Sequence, residues 1–214
     1  MKDLKINRSE IISSGLNTED MEFIYELVKN KRPKNVLEIG MSEGTSTLAI
    51  CKAFKDFKME SHLTSIDPFQ SSRDNNMGVK NIENNNLSKY HTLIEGYDYI
   101  ILPTLLSENK SFDMIFVDGS HLYDYIMLDQ FYATLLLNQN GVLIYDDYPR
   151  ESTESWPLYG HGDWKKGVKL TCDFLEKNYN HFKIDESYSS SRFSSVYVKI
   201  SEDNRDWNHF KDFV

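Results

Sequence analysis

The stretch VLEIGMSEG, residues 36–44, decides the fold of this chain. Its first four residues form a short apolar run that stops at Gly40, which is typical of a buried strand. Gly40 and Gly44 frame a loop, and residues 45–57 after it predict a helix. Glycines let a backbone turn sharply and approach a ligand closely, and a helix N-terminus offers free N–H groups. The stretch therefore predicts a site for a nucleotide-like ligand.

Strand and helix patterns alternate along the rest of the chain. Strands are predicted at 36–39, 61–66, 91–94, 114–117 and 141–145, and helices at 45–57, 75–87, 97–106, 122–137 and 165–179. Such alternation indicates parallel β-α-β units with helices on both faces of a sheet. The last two strands, 182–185 and 194–200, have no long helix between them and predict an antiparallel closure. We expect a single α/β domain with a doubly wound, mostly parallel sheet and an antiparallel C-terminal strand.

Length and composition fit one globular domain with short extensions. The chain has 214 residues, of which 40% are hydrophobic and 13% are aromatic. We expect residues 1–33 to form an N-terminal arm and helix, residues 34–200 the ligand-binding domain, and residues 201–214 a C-terminal tail. The arm and the tail segment Trp207–Phe210 suggest a partner surface, and a homodimer is one candidate assembly.

Charge and cysteine content argue against several classes of function. The formal net charge is −9 and no dense basic run is present, which disfavours a nucleic-acid partner. Cys51 and Cys172 form no Cys-x-x-Cys pair, which disfavours a zinc site or a disulfide framework. The N-terminus has no apolar signal segment, and no apolar run approaches the roughly 18 residues that span a bilayer. We therefore expect a cytoplasmic protein without a membrane partner.

The spacing of the loop narrows the class of ligand. Gly40-x-x-x-Gly44 differs from the G-x-G-x-x-G pattern of dinucleotide-binding folds. Glu38 and Glu43 lie close to this loop, where they suit a cationic ligand better than a pyrophosphate. Asp67 ends the second predicted strand, and a carboxylate at that place can accept both hydroxyls of a ribose.

Four motifs in order resemble those of class I S-adenosylmethionine-dependent methyltransferases, which have a Rossmann-like fold. Glu38-x-Gly40-x-x-x-Gly44 resembles their first motif, and Ser65-Ile66-Asp67 is similar to their ribose-binding motif. Residues 112–121, FDMIFVDGSH, and residues 141–148, GVLIYDDY, resemble the fourth- and fifth-strand motifs of one subgroup. That subgroup contains the metal-dependent small-molecule O-methyltransferases of the catechol, macrocin and aminocoumarin-sugar types. The resemblance covers roughly residues 34–180.

The resemblance implies a set of cofactor-binding residues at the ends of the predicted strands. The set consists of Glu38, Gly40, Met41, Ser42, Gly44, Thr45, Asp67, Gly96, Tyr97 and Asp118. Tyr97 is a candidate for contact with the adenine, although its side chain can equally belong to the core.

Asp118, Asp146 and Asp147 end two strands that we expect to be neighbours. Carboxylates that converge in a cleft repel each other, and a hard divalent cation such as Mg²⁺ relieves the repulsion. In the enzymes that the sequence resembles, these positions hold a metal that lowers the pKa of the acceptor hydroxyl and orients it. The Asp-Asp pair weakly favours a sugar or another aliphatic hydroxyl over a catechol. Alternatively, Asp146 and Asp147 only end a strand and bind loop amides.

His121 lies three residues after Asp118, where the resemblance places a basic residue close to the methyl acceptor. It is a candidate general base for the acceptor hydroxyl, as Asp118 is a candidate catalytic residue. The alternative is a histidine at a helix start that makes a local hydrogen bond.

The segment 149–163 has no clear periodicity, and loops of this length in a compact domain are usually functional or disordered. It carries Trp156, Pro157, Tyr159 and His161, and Trp164 follows it. These aromatic side chains can cover an acceptor by stacking on a ring, or they can pack on the sheet edge or on a second subunit.

These observations favour an S-adenosylmethionine-dependent O-methyltransferase that acts, with a divalent metal, on the sugar or phenolic hydroxyl of a small molecule. A nucleotide-dependent oxidoreductase is the first alternative, but the Gly40–Gly44 spacing lacks the dinucleotide pattern. A non-catalytic domain that keeps the fold is the second alternative, and the joint presence of Asp118, Asp146, Asp147 and His121 argues against it.

Overall fold

The computed structural model describes residues 1, 3–5, 18–148, 164–188 and 194–209. Its seven strands belong to one mixed, mostly parallel sheet. The chain divides into two compact units, Met1–Thr104 and Leu105–Val214.

The first unit contains three parallel strands in the order β3-β2-β1. Its elements are α1 (Thr18–Lys31), β1 (Asn35–Ile39), α2 (Thr45–Asp56), β2 (His62–Asp67), α3 (Met77–Asn84), β3 (His91–Glu95) and the start of α4 (Asp98–Ser107). Ile39 pairs with Ile66, and Asp67 pairs with Glu95. The strands are parallel and in register, so the residues that follow them lie at one edge of this part of the sheet.

Helix α1 shows why the sequence folds locally as it does. Its apolar residues Met21, Ile24, Leu27 and Val28 are buried, at the spacing of one helix face. Glu19 and Asp20 lie in its first turn and Lys29 and Lys31 in its last turn, which complements the helix dipole. The buried face packs on α2, the helix that follows the glycine loop.

The second unit contains four strands in the order β4-β5-β7-β6. Its elements are β4 (Phe112–Val117), α5 (Tyr123–Leu136), β5 (Leu137–Tyr145), α6 (Trp164–Asn178), β6 (Phe182–Ile184) and β7 (Ser195–Lys199). β4 and β5 are parallel, whereas β7 is antiparallel to both β5 and β6. Val117 pairs with Tyr145, so the residues after these two strands start side by side.

The predicted fold class is confirmed, and two elements differ from their predicted bounds by more than two residues at one end. Helix α3 is shorter than the predicted 75–87 at both ends, because Asn75, Asn76 and Asn86 have left-handed φ values of 51°, 54° and 55° that a helix does not accept. β5 starts at Leu137, four residues before the predicted strand, because Leu137 pairs with Phe112, and the register then shifts before Met114 pairs with Val142.

Two further expectations concern membranes and cysteines. Among the residues that the structure describes, no helix is both long and apolar enough to span a membrane. Cys51 and Cys172 are both buried free thiols, in different units.

Candidate active site

The glycine loop after β1 is a tight turn in left-handed backbone. Gly40 has a φ of 90° and Gly44 a φ of 76°, a region that costs other residues energy but glycine very little. Ser42 between them has a φ of 45°, which is uncommon for a residue with a Cβ. The Gly44 amide donates a hydrogen bond to the Met41 carbonyl at 2.7 Å. The two glycines of the sequence motif therefore lie where the turn needs them.

Asp67, at the end of β2, closes this loop. Its Oδ2 accepts hydrogen bonds from the backbone amides of Met41 at 3.0 Å and Ser42 at 2.8 Å, and its Oδ1 accepts one from the amide of Phe69 at 2.7 Å. A carboxylate has about four lone-pair sites, so three are already used. The sequence suggested that Asp67 binds both hydroxyls of a ribose. Such a contact would use the same two oxygens that already bind the loop amides.

Glu38 is completely buried beneath the loop. Its carboxylate accepts hydrogen bonds from the hydroxyls of Ser46, Thr47 and Ser65, at 2.5–2.7 Å. Burial raises the pKa of Glu38, and the three hydroxyls oppose that rise. The contacts join β1 to α2 and β2, so they support a structural role for Glu38 in addition to the predicted contact with the cofactor.

The other predicted cofactor residues of the first unit lie around the same strand ends. Met41 and Thr45 are buried, and the amide of Gly96 donates to the Asp67 carbonyl at 3.2 Å. Tyr97 is 44% exposed, which argues against the alternative of a core side chain. Its ring stacks on Tyr99 with centroids 5.1 Å apart, so an aromatic surface remains accessible after β3.

A second group of polar side chains lies in the second unit. Asp118 follows β4, Asp147 follows β5, and His121 lies between them. The Nε2 atom of His121 is 3.4 Å from Asp147 Oδ2 and 4.0 Å from Asp118 Oδ1, and all three side chains are 22–28% exposed. The structure thus brings together two of the three predicted metal ligands and the predicted base.

Asp146, the third predicted metal ligand, has different surroundings. It is 6% exposed, and its Oδ1 accepts a hydrogen bond from the hydroxyl of Ser194 at 2.8 Å. Burial raises its pKa well above the usual range, and the nearby Asp118 and Asp147 raise it further. Asp147, the next residue, has a left-handed φ of 59°. Asp146 lies outside the group formed by Asp118, His121 and Asp147.

The group of Asp118, His121 and Asp147 has the donor chemistry of a divalent metal site. Its ligand atoms all lie within 4.8 Å of one another. Donor atoms that share one cation through bonds of about 2.1 Å lie roughly 3–4 Å apart. Two carboxylates and an imidazole suit Mn²⁺, Fe²⁺ or Zn²⁺ at least as well as Mg²⁺, which prefers oxygen ligands. The residues therefore fit a divalent cation.

Helix α6 fixes the backbone of His121. A Cβ on Gly167 would lie 2.2 Å from the carbonyl oxygen of His121, so only glycine permits this close approach. The Ser120 hydroxyl, just before His121, accepts a hydrogen bond from the amide of Leu122 at 3.3 Å, and Leu122 is the N-cap of α5.

Most of the residues that we suggested could cover the methyl acceptor lie outside the described residues. This applies to Trp156, Pro157, Tyr159 and His161. Trp164 begins α6, but its side chain is not among those described.

The sheet, the left-handed glycine loop and the polar strand ends define an α/β protein of the nucleotide-cofactor-binding class. A family model described as a methyltransferase domain matches residues 37–148, which is more than half of the chain. The chain therefore belongs to the methyltransferase domain family, and the resemblance of its motifs to methyltransferases is confirmed.

An uncharacterized protein, R132, of Acanthamoeba polyphaga mimivirus is 30% identical over 156 residues. That match covers 70% of this chain and 64% of the viral protein, so the chain spans less than two thirds of the relative's length.

Solved structures share the fold at low sequence identity. Cofactor-bound Rv0187 from MTB matches with a TM-score of 0.71 and 14% identity, over 90% of this chain and 85% of that chain. The O-methyltransferase from Bacillus cereus in complex with SAH has a TM-score of 0.69 and 18% identity, over 88% and 84%. The O-methyltransferase TomG from Streptomyces achromogenes, in complex with SAM, has a TM-score of 0.67 and 16% identity, over 92% of both chains.

Proposed function

We propose that this protein is an S-adenosylmethionine-dependent O-methyltransferase. The observation that carries the proposal is the left-handed Gly40–Gly44 loop, closed by Asp67, in a chain of the methyltransferase domain family. The SAM- and SAH-bound proteins of the same fold support the choice of cofactor. The G-x-G-x-x-G spacing that an oxidoreductase would use is absent from the loop, which supports the choice against that class.

We assign the cofactor to the residues that the sequence motifs indicate. Gly40, Met41, Ser42, Gly44 and Thr45 would line the loop, where backbone groups can approach the ligand. Asp67 would accept a ribose hydroxyl, Tyr97 would offer its exposed ring to the adenine, and Gly96 would allow close approach beside it. Glu38 would act from below the loop, and Asp118 is assigned both to the cofactor and to the metal.

We further propose that Asp118, His121 and Asp147 hold a divalent cation. Such a cation lowers the pKa of an acceptor hydroxyl and orients it for attack on the methyl group. The same atom, Nε2 of His121, faces both carboxylates. His121 can therefore be a ligand through Nε2 when metal is bound, or a base at Nε2 when it is not, but not both at once. In the metal-free case Asp147 would stabilise the imidazolium that forms when Nε2 takes the proton.

The acceptor would be a small molecule with a free hydroxyl, such as a sugar or a phenol. The Asp146-Asp147 pair, in place of the Asp-Asn of catechol enzymes, weakly supports a sugar or another aliphatic hydroxyl.

Calorimetry with S-adenosylhomocysteine tests the assignment of the cofactor. We expect micromolar binding to the wild-type protein and no measurable binding to Asp67→Ala, because the substitution removes both the loop contacts and the ribose acceptor. Glu95→Gln is a matched control: Glu95 pairs with Asp67 in register, is exposed and contacts Ser71. The control should bind within about twofold of the wild type, a change within the usual range for a surface substitution. Tight binding of NAD without binding of S-adenosylhomocysteine would overturn the proposal.

A further inference from the structure

The β2–α3 segment holds the cofactor loop through two buried amide side chains. We infer that Gln70 and Asn81 are positioning residues that fix residues 41–44 in the conformation that binds the cofactor. This inference rests on the proposed function, because it assigns to these residues an effect on the affinity for S-adenosylmethionine. Neither residue belongs to a sequence motif of the first strand or of the ribose contact.

Both side chains donate to carbonyl groups of the loop. Gln70 Nε2 donates to the Ser42 carbonyl at 2.6 Å, and Asn81 Nδ2 donates to the Glu43 carbonyl at 2.9 Å. Both residues are 0% exposed, so each amide side chain is removed from solvent and depends on these hydrogen bonds. They complement Asp67, which accepts from the N–H groups of Met41 and Ser42. Asp67 thus holds the loop through its N–H groups, and Gln70 and Asn81 hold it through its carbonyl groups.

Helix α3 lies directly against the loop. A Cβ on Gly78 would lie 2.6 Å from the Ser42 carbonyl oxygen and 2.9 Å from the Cε of Met41. A Cβ on Gly44 would in turn lie 3.0 Å from the Cα of Gly78. Glycine at position 78 therefore brings Asn81, one turn later on the same helix, within hydrogen-bond distance of the loop.

The contacts have an energetic reason. Ser42 is held at a φ of 45°, a strained conformation for a residue with a Cβ that persists only where its surroundings stabilise it. Hydrogen bonds that fix the strained turn before the ligand arrives remove an ordering cost from binding. Loss of either amide should therefore weaken binding of the cofactor while the sheet remains folded.

Gln70 also offers an unused acceptor. Its Oε1 is buried and has no hydrogen-bond partner among the described residues. The contact of Nε2 with the Ser42 carbonyl fixes the orientation of the amide, because the flipped amide would place two oxygens against each other. A hydroxyl or amino group of the bound cofactor can donate to this oxygen, which favours a role in binding over one in packing alone.

The test compares two changes on the same helix. Asn81→Leu removes the donor to Glu43, and Asn84→Leu makes the same change at an exposed position of α3. S-adenosylhomocysteine affinity is measured by calorimetry well below the unfolding temperature, together with hydrogen–deuterium exchange of the ligand-free proteins. We expect Asn81→Leu to raise the Kd by about threefold to tenfold, because one hydrogen bond is lost. Asn84→Leu should leave the Kd unchanged. Exchange should rise at residues 41–44 but not in β1 or β2.

Gln70→Glu is a second variant, in case Asn81→Leu fails to fold. It keeps the size and the acceptor of the side chain but places an oxygen against the Ser42 carbonyl, and we expect the same rise in Kd and in exchange of the loop. Wild-type affinity and wild-type exchange in both variants would overturn the inference. Exchange that rises equally over β1, α2 and the loop would also overturn it, because that result shows a general loss of stability. If the wild type does not bind S-adenosylhomocysteine, the proposed function fails, whereas the exchange data still decide whether the loop is held by these residues.

Discussion

Asp146 and Asp147 are neighbours in the chain but differ in burial and in hydrogen bonding. Asp146 is buried and accepts a hydrogen bond from Ser194, whereas Asp147 is partly exposed and faces His121. Asp147 also has a left-handed φ of 59°. Two identical residues that follow one strand thus have different surroundings.

Metal binding by variants of these two aspartates distinguishes the roles. We expect the wild-type protein to bind Mn²⁺, Asp147→Asn to weaken the binding by at least about tenfold, and Asp146→Asn to change it little. The loss of a free Mn²⁺ signal in electron paramagnetic resonance measures the binding directly. A loss of binding in Asp146→Asn with retention in His121→Ala would instead support the set Asp118, Asp146 and Asp147 that the sequence suggested. With an identified acceptor, full methyl transfer in excess chelator would exclude the metal and leave His121 as the base.

His91, on β3 of the first unit, makes stability depend on pH. Burial lowers its pKa to about 4 from an ordinary value of 6.5, and its Nε2 lies 2.9 Å from the hydroxyl of Ser65. Between these values the unfolded chain binds a proton that the folded chain does not. The contribution of His91 to the free energy of unfolding is therefore fully present above pH 6.5 and is lost as the pH falls toward 4.

Linkage gives a magnitude for this effect. We expect His91 to contribute a loss of about 2 kcal/mol in the free energy of unfolding between pH 7.5 and pH 5. Urea denaturation of wild type and His91→Gln at both pH values measures it, and the difference between the two proteins isolates His91 from other titrating groups. An equal dependence on pH in the two proteins would show that His91 does not cause it.

At the scale of elements, helix α3 is adapted to the loop that it supports. Asn75 and Asn76 in left-handed backbone delay its start, and Gly78 removes the side chain that would collide with Ser42. Glycine inside a helix usually destabilises it by about 1 kcal/mol relative to alanine. Its presence here indicates that close packing on the loop outweighs the preference of the helix.

Substitution of Gly78 tests this adaptation. Gly78→Ala should lower the free energy of unfolding by about 1–3 kcal/mol, because the new Cβ overlaps the backbone of the loop. Asn84→Ala, at an exposed position of α3, should be neutral or stabilising by up to about 0.5 kcal/mol, as helix propensity predicts. Urea denaturation of both variants measures the contrast. A gain of stability in Gly78→Ala would mean that propensity outweighs the packing on the loop.

At the scale of the whole molecule, the outer face of α5 supports the expected homodimer. Tyr125, Leu128, Phe131 and Leu135 on this face are 36–49% exposed. Among the residues of α5, all of which the structure describes, Asp124 is the one that is both charged and exposed. The net charge of −9 makes two copies of the chain repel each other, and an exposed apolar face is where such copies can meet.

Sedimentation equilibrium tests the assembly. We expect a dimer for the wild type and a monomer for the double variant Leu128→Lys, Phe131→Lys, because the lysines would be buried in the contact. Ile200→Lys is a matched control, since Ile200 is 48% exposed but lies beyond β7. A wild-type monomer at the concentrations used for calorimetry would reject the homodimer.

Much of the architecture could be predicted from local patterns. Apolar runs of strand length, helical spacing and glycine positions gave the α/β class, the sequential order of the elements and the loop after β1. They are readable because each depends on residues close together in the chain, as with the face of α1 or the left-handed turn at Gly44. The motifs also indicated Asp67, Asp118, His121 and Asp147 as site residues, which remain to be tested.

Tertiary structure alone decided which atoms of these residues are in contact. Asp67 binds loop amides that lie 25 and 26 positions earlier in the chain, and Asn81 binds a carbonyl 38 positions away. Ser194, which binds Asp146, lies 48 positions after it. No local pattern encodes such pairs, because they follow from how strands and helices pack. The sequence by itself thus determined the fold and the kinds of residue at the strand ends, and packing decided which of those residues hold the loop and which come together as the group of Asp118, His121 and Asp147.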